Sequence, residues 1–150
     1  MGIAYARESV ESVKNDIGAM AAAHYEEASG HRDAAFNINW DMYLRIEASG
    51  ALRGFTVRDS GELIGYAAFV VAPSLHASGL MQANTIAIYL RPDRRGRGEM
   101  FIMWIDGELC REGVGIVYHS VKPHIDYSPA LKRLGYGYHE AVYSKRLGGK

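Results

Sequence analysis

The densest chemistry in the sequence lies in the run Ile86-Ala87-Ile88-Tyr89-Leu90-Arg91-Pro92-Asp93-Arg94-Arg95-Gly96-Arg97-Gly98-Glu99-Met100. Strand-forming residues lead to Pro92, a basic turn follows, and an apolar helical stretch begins near Glu99. A helix N-terminus leaves backbone N–H groups without intrahelical partners and carries positive partial charge. Glycines at 96 and 98 remove side chains that would hold an anion away, and Arg94, Arg95 and Arg97 add full charges. The composite predicts a site for a pyrophosphate or similar anion. Gly-x-Gly alone is an unspecific signal, equally at home in a surface loop. Its place between a central strand and a buried helix is what favours a site. Neither common nucleotide fingerprint fits: Phe101 stands where the Rossmann pattern needs a glycine, and no Gly-x-x-x-x-Gly-Lys-Ser/Thr occurs.

Periodicity supplies the elements that position this loop. Val10, Val13, Ile17, Met20 and Ala21 recur at helical steps and predict a helix over Ser9–Ala28, capped by Ser9 and stopped at Ser29-Gly30-His31. Trp40, Tyr43, Leu44 and Glu47 predict a second over Asn39–Ala48. Strands follow at Leu52–Arg58 and Leu63–Val71, hinged by Asp59-Ser60-Gly61-Glu62. The second is apolar on both faces and is placed centrally. A loop over Ala72–Gln82, a strand over Asn84–Leu90 and a helix over Glu99–Arg111 come next, the first half of that helix well buried. Then come a strand over Val114–Val121, a short helix over Ser128–Leu134 and a last strand over Tyr138–Leu147. The order predicts one mixed α/β domain spanning residues 1–150.

Composition narrows the classes. The 150 residues carry 17 basic and 17 acidic side chains, which gives no global field for nucleic acid. A single cysteine, Cys110, forms no internal disulfide, and no Cys/His spacing resembles a zinc site, so no metal is expected. Cys110 reads as a small core residue without a catalytic role. Met1–Ser9 lacks the apolar stretch of a signal peptide. The longest apolar run, Leu63–Ala72, falls short of the roughly 18 residues a membrane span requires. The expected compartment is the cytoplasm.

The run Leu90-x-Pro92-x-x-Arg95-Gly96-Arg97-Gly98 and the element order resemble the GCN5-related N-acetyltransferases. That family's signature is Arg/Gln-x-x-Gly-x-Gly/Ala. Arg95 and Gly98 match its first and fourth positions, whereas Met100 falls where Gly or Ala is usual. Ala130-Leu131-Lys132-Arg133-Leu134-Gly135-Tyr136 resembles the family's late helix and its Leu-Gly-Phe/Tyr ending. The resemblance covers roughly residues 50–147.

By that resemblance, acetyl-CoA lies where strands Asn84–Leu90 and Val114–Val121 splay apart. Backbone groups of Ile88, Tyr89 and Leu90 would pair with the pantetheine arm, and amides from Arg95, Gly96, Arg97, Gly98, Glu99 and Met100 would hold the pyrophosphate. An N–H near Tyr89 or Leu90 would polarise the thioester carbonyl. His124 stands where the family often has an Asn against the pantetheine. The implied reaction is direct attack of a primary amine in a ternary complex. An alkylamine with a pKa of about 10.4 is neutral in only about one molecule in a few thousand at pH 7, so a proton acceptor helps. The family often places a carboxylate where this chain has Asn84 and Thr85. His119, Glu26 and Glu27 are the alternatives. The tyrosine that commonly protonates the thiolate is replaced by Leu131, and Tyr127, one turn earlier, is the acid candidate.

Trp40 and Tyr43 are candidates for an acceptor-pocket wall, and the 72–82 loop, with Leu75, Leu80 and Met81, for a gate or a contact with a second subunit. A homodimer is plausible for the family. The acceptor itself stays open between a small amine, an antibiotic, a protein lysine and a protein N-terminus. A non-catalytic acyl-CoA-binding regulatory or interaction module on the same fold is the alternative function.

Overall fold

In the computed structural model, residues 2–28, 37–123 and 125–148 are described. The helix stop expected at Ser29-Gly30-His31 and the role expected of His124 fall outside them, as does the Glu27 side chain. Ten elements follow one another: β1 (Ile3–Arg7), α1 (Val10–Ala28), α2 (Trp40–Ala48), β2 (Leu52–Asp59), β3 (Glu62–Pro73), β4 (Met81–Leu90), a 3-10 turn (Pro92–Arg97), α3 (Gly98–Arg111), β5 (Ile116–Tyr118) and α4 (Ser128–Arg133). The strands form one sheet in the order β1-β2-β3-β4-β5. Neighbours are antiparallel except β4 and β5, which run parallel. The expected mixed α/β architecture is present, with β3 at the centre.

Cross-strand register sorts the side chains into two layers. Phe55, Ala67 and Ile88 are aligned on one face and join Val57, Phe69, Phe101, Ile105 and Leu109 in the main core against α3. Thr56, Tyr66 and Tyr89 are aligned on the other. That second face is unusually polar for a sheet interior, and α1 and α2 cover it. The Ser9 hydroxyl caps α1, accepting from the Ser12 N–H at 3.3 Å. A carboxylate of α2, Glu47, takes the Val10 N–H at 2.9 Å, placing a negative charge at the positive end of α1.

Local signals account for most boundaries. The Asn39 side chain accepts from the Met42 N–H and starts α2. Ser60 and Gly61, at φ of 51° and 88°, make the two-residue turn between β2 and β3. Several expectations need correction. Ile3–Arg7 forms an edge strand that its short length hid, although Ile3 and Tyr5 pack against the core. The 72–82 loop is shorter, because β3 runs to Pro73 and β4 begins at Met81. The strand expected over Val114–Val121 is Ile116–Tyr118 alone. The strand expected over Tyr138–Leu147 does not form: the segment has no ladder with any described strand. Met100 and Met103 are each 55% exposed, so apolar residue types in the first half of α3 overstated its burial.

Candidate functional site at the divergence of β4 and β5

Parallel pairing of β4 with β5 covers only Gln82–Asn84 against Ile116–Tyr118. Thr85 prolongs the contact by one side-chain bond, its hydroxyl donating to the Tyr118 carbonyl at 2.7 Å. From there to Leu90 no described strand pairs with that edge of β4. The cause is visible on the other side. Ala68 faces Ala87 while Phe69 faces Thr85, so Ile86 is an extra residue in β4. Such a bulge bends and twists its strand, here away from β5. The result is a stretch of backbone, Ile86–Leu90, open to an extended ligand.

The basic turn closes one end of this opening. Arg91 is held by Glu62 at 2.6 Å and Asp93 at 3.0 Å, and Arg94 by Asp59 at 2.8 Å. Arg95 turns inward instead: its Nε donates to the Leu90 carbonyl at 3.2 Å and its guanidinium lies 5.6 Å from the Tyr89 ring centroid. Arg97 is exposed at the N-cap of α3. The glycines are informative because the chain itself does not require them. A Cβ at Gly96 would meet nothing within 4 Å, and one at Gly98 only Leu90 Cδ2 at 3.8 Å. Neither has a positive φ. Their smallness leaves room in front of the N-terminus of α3, where an anion is favoured.

Between the sheet and α1/α2 lies a cavity of about 400 Å³, which reaches β4 at Thr85–Ile88 and includes Tyr127 at its far side. Trp40, Tyr43 and Tyr25 contribute aromatic wall. Several of its polar groups are engaged with one another. Glu8 accepts from both Arg58 Nε and Nη2, at 3.0 and 3.1 Å, and from the Thr56 hydroxyl. The Arg58 hydrogen bonds hold the Glu8 carboxyl below the usual range, against the opposing effect of burial. His24 Nδ1 lies 2.6 Å from the Tyr66 hydroxyl, and its ring stacks 4.7 Å from that of Tyr89. Burial pushes the Tyr66 phenol well up, so it stays protonated.

A second histidine–tyrosine pair stands across the cavity. His119 Nδ1 is 3.1 Å from the Tyr127 hydroxyl, and the imidazole is enclosed by the rings of Phe69, Tyr127 and Tyr136. Its Nε2 is buried without a hydrogen-bond partner among the described residues. Burial lowers the His119 pKa from 6.5 to about 4 and raises that of Tyr127. The unfolded chain therefore binds a proton near pH 6.5 that the folded chain refuses until about pH 4. Stability from this group is complete above about pH 6.5 and declines as pH falls through the window, by up to about 1.4 kcal/mol per pH unit. Urea unfolding at about pH 7 and pH 5 should show that loss, and a His119→Gln variant should show a shallower one. An identical slope in the variant would assign the loss to other groups.

No protein-family profile matches the chain, and no curated protein does either. Solved structures do. A GCN5-related N-acetyltransferase from Ralstonia eutropha JMP134 aligns over 98% of this chain and 100% of its own, with a TM-score of 0.71 at 14% identity. A predicted acetyltransferase with acetyl-CoA from Clostridium acetobutylicum aligns over 97% and 96%, at 0.67 and 14%. A transcriptional regulator from Bacillus halodurans C-125 aligns over 96% and 99%, at 0.77 and 13%. The chain has the GCN5-related N-acetyltransferase fold.

Within that fold, the residues singled out by sequence separate into two groups. Ile88, Tyr89 and Leu90 lie on the open part of β4, and Arg95–Met100 span the turn into α3. His119 and Tyr127 are brought into contact, but His119 sits behind Tyr127 and does not line the cavity. Tyr127 lies just before α4, with Leu131 buried one turn on. Cys110, expected in the core, is exposed. Glu26 is exposed and does not line the cavity. His24 was missed, although a signal existed: it continues the stripe Val10, Val13, Ile17 and Ala21 at helical spacing, a lone imidazole on an otherwise apolar face. No group of His, Cys, Asp and Glu among the described residues could hold a metal ion. No helix among them is long and apolar enough to cross a membrane.

Proposed function

We propose that the chain is a cytoplasmic member of the GCN5-related family that transfers an acetyl group from acetyl-CoA to a primary amine. The observation that carries the reading is the open backbone of β4 with an anion-favouring loop at one end and a cavity at the other. Pantetheine would pair along Ile88–Leu90 and the pyrophosphate would take the space kept by Gly96 and Gly98, beside Arg95 and Arg97. The amine would enter from the α1/α2 side. Its nitrogen forms a bond to the thioester carbon, the C–S bond breaks, and the thiolate takes its proton from the Tyr127 hydroxyl. His119, kept neutral by burial, acts as a positioning residue that orients that hydroxyl. The proton released by the amine passes to the Tyr66 oxygen as the Tyr66 hydroxyl proton passes to His24, leaving an imidazolium.

The cavity also favours an acceptor class. The one carboxylate lining it among the described residues, Glu8, is neutralised by Arg58, and Lys122 adds positive charge near its β5 side. A polycation would find no unpaired negative partner there. A monoamine on an aromatic or branched apolar body fits the aromatic wall and the volume.

A regulatory acyl-CoA-binding module is the second reading. Asn84 and Thr85 offer no carboxylate, Leu131 replaces the usual tyrosine, and one structural relative is a transcriptional regulator. The two readings part on whether bound acetyl-CoA is consumed. Calorimetric titration should give micromolar-range binding of acetyl-CoA and CoA but not ATP, and thiol release in the presence of phenylalkyl monoamines should follow. Binding without release for any amine would favour the module. Gly98→Glu should weaken acetyl-CoA binding by roughly 30-fold, since a carboxylate about 6 Å from the pyrophosphate costs about 2 kcal/mol at an effective dielectric near 20 after screening. The fold should survive, because the site has space for a Cβ. Unchanged affinity would place the donor elsewhere.

A further inference from the structure

Apart from His24, the cavity under α1 and α2 has one basic side chain among the described residues, Lys122. Ser120 and Lys122 line it, and Val121 between them does not. The backbone there is fixed, the Lys122 carbonyl accepting from the Ile125 N–H at 3.1 Å. The ammonium group has no ion-pair or hydrogen-bond partner among the described residues. Arg58, by contrast, directs its donors to Glu8, to Asp16 and to the Gly61 carbonyl. Glu8, the one carboxylate lining the cavity among the described residues, is therefore compensated, and Lys122 is not.

An uncompensated cation in this cavity works against a simple amine. An alkylamine with a pKa of about 10.4 arrives as an ammonium and meets like charge, with no carboxylate to offset it. An α-amino acid behaves differently. Its carboxylate sits on the carbon that bears the nitrogen, so pairing the carboxylate also holds the amine. Once the ammonium proton is lost, the molecule carries a single negative charge, which Lys122 matches. The lysine thus opposes the inert ammonium form and favours the neutral amine that attacks.

We propose that the acceptor is a free α-amino acid with an aromatic or branched apolar side chain, its carboxylate paired with Lys122. The inference rests on the reading of this cavity as the acceptor site. The apolar side chain lies towards Trp40, Tyr43 and Tyr25, and the amine towards β4 and the Tyr66–His24 pair. The cavity of about 400 Å³ is of the size that encloses such a molecule. Glu8, engaged by Arg58 and Thr56, does not compete for Lys122. A basic amino-acid side chain would find no unpaired carboxylate among the described lining residues, so apolar amino acids are preferred over lysine and arginine.

Calorimetry of the full chain in the presence of CoA, titrated with phenylalanine, phenylalaninamide and phenethylamine, tests this without turnover, since CoA carries no acyl group. Phenylalanine should bind at least about tenfold tighter than either ligand without a carboxylate, the scale of one hydrogen bond to a charged group. Lys122→Gln should reduce that preference to about twofold or less, and Lys122→Arg should keep most of it. Lys122 is exposed and its ammonium has no described partner, so both variants should fold. Equal affinities in the wild type overturn the proposal, as does no binding of phenylalanine or a preference that survives Lys122→Gln. Thiol release from acetyl-CoA with the same three ligands tests the transfer reading separately. If none of them releases CoA, that reading loses its support, while the binding preference still decides whether the cavity takes an amino acid.

Discussion

Replacing His24 by Gln should lower kcat for amine acetylation about 100-fold at pH 7 and leave acetyl-CoA affinity unchanged. The lower end of what a positioned general base supplies is about 10². Glutamine preserves polarity and much of the volume against Tyr89 but accepts no proton. The pH profile separates this role from a structural one. Because the free amine fraction rises about 300-fold between pH 7 and 9.5, the variant should recover most of its deficit over that interval. Among the described residues, the printed contacts of the imidazole are with Tyr66 on β3 and Tyr89 on β4, with Tyr43 of α2 beside Tyr66 and Arg95 beyond Tyr89. None of these supplies a carboxylate that would substitute for His24. Tyr66→Phe should give a smaller loss with the same pH signature, since it interrupts the relay and keeps the ring. A His24→Gln enzyme with wild-type kcat at pH 7 would remove His24 from the mechanism.

Phe69→Ala should destabilise the protein by about 3–5 kcal/mol, the usual range for deleting a fully buried aromatic side chain. Phe69 is 0% exposed, lies edge-on to Phe55 at 5.9 Å and belongs to the cluster that holds α3 on the sheet. In a chain of this length the loss corresponds to a fall in Tm of about 10–15 °C. Its ring also lies 5.5 Å from His119, so the void would open beside the histidine–tyrosine pair of the site. Thermal and urea unfolding should show the loss with an unchanged urea dependence. A loss below about 1 kcal/mol would mean that the core closes over the gap and that α3 is held mainly by other contacts.

The two predictions probe opposite faces of the same sheet, and their separation explains how the fold tolerates a polar site. Phe55, Ala67 and Phe69 give α3 a dry surface, while Thr56, Tyr66 and Tyr89 on the reverse face put hydroxyls towards α1. Hydroxyl-bearing side chains are thereby kept on the layer that contributes less to the main core. The bulge at Ile86 links the two functions, because it preserves pairing with β3 while releasing the other edge of β4 from β5.

The sequence by itself determined the elements whose cause is local. Asn39 capping α2, the Ser60-Gly61 turn, the apolar stripe of α1 and the strand–glycine–helix run at 90–100 each rest on neighbouring residues, so they were legible in order. The strand, basic turn and helix start on which the proposed donor site rests were legible for the same reason. Tertiary structure decided what depends on distant partners. Cys110 and Met100 have core-like residue types, yet exposure follows from where α3 meets the sheet. His24 meets Tyr66 across 42 positions, and Arg58 neutralises Glu8 across 50. Tyr138–Leu147 shows the same limit from the other side. A strand-forming composition favours a strand, but a strand exists only where it meets a partner edge, and this segment pairs with no described strand.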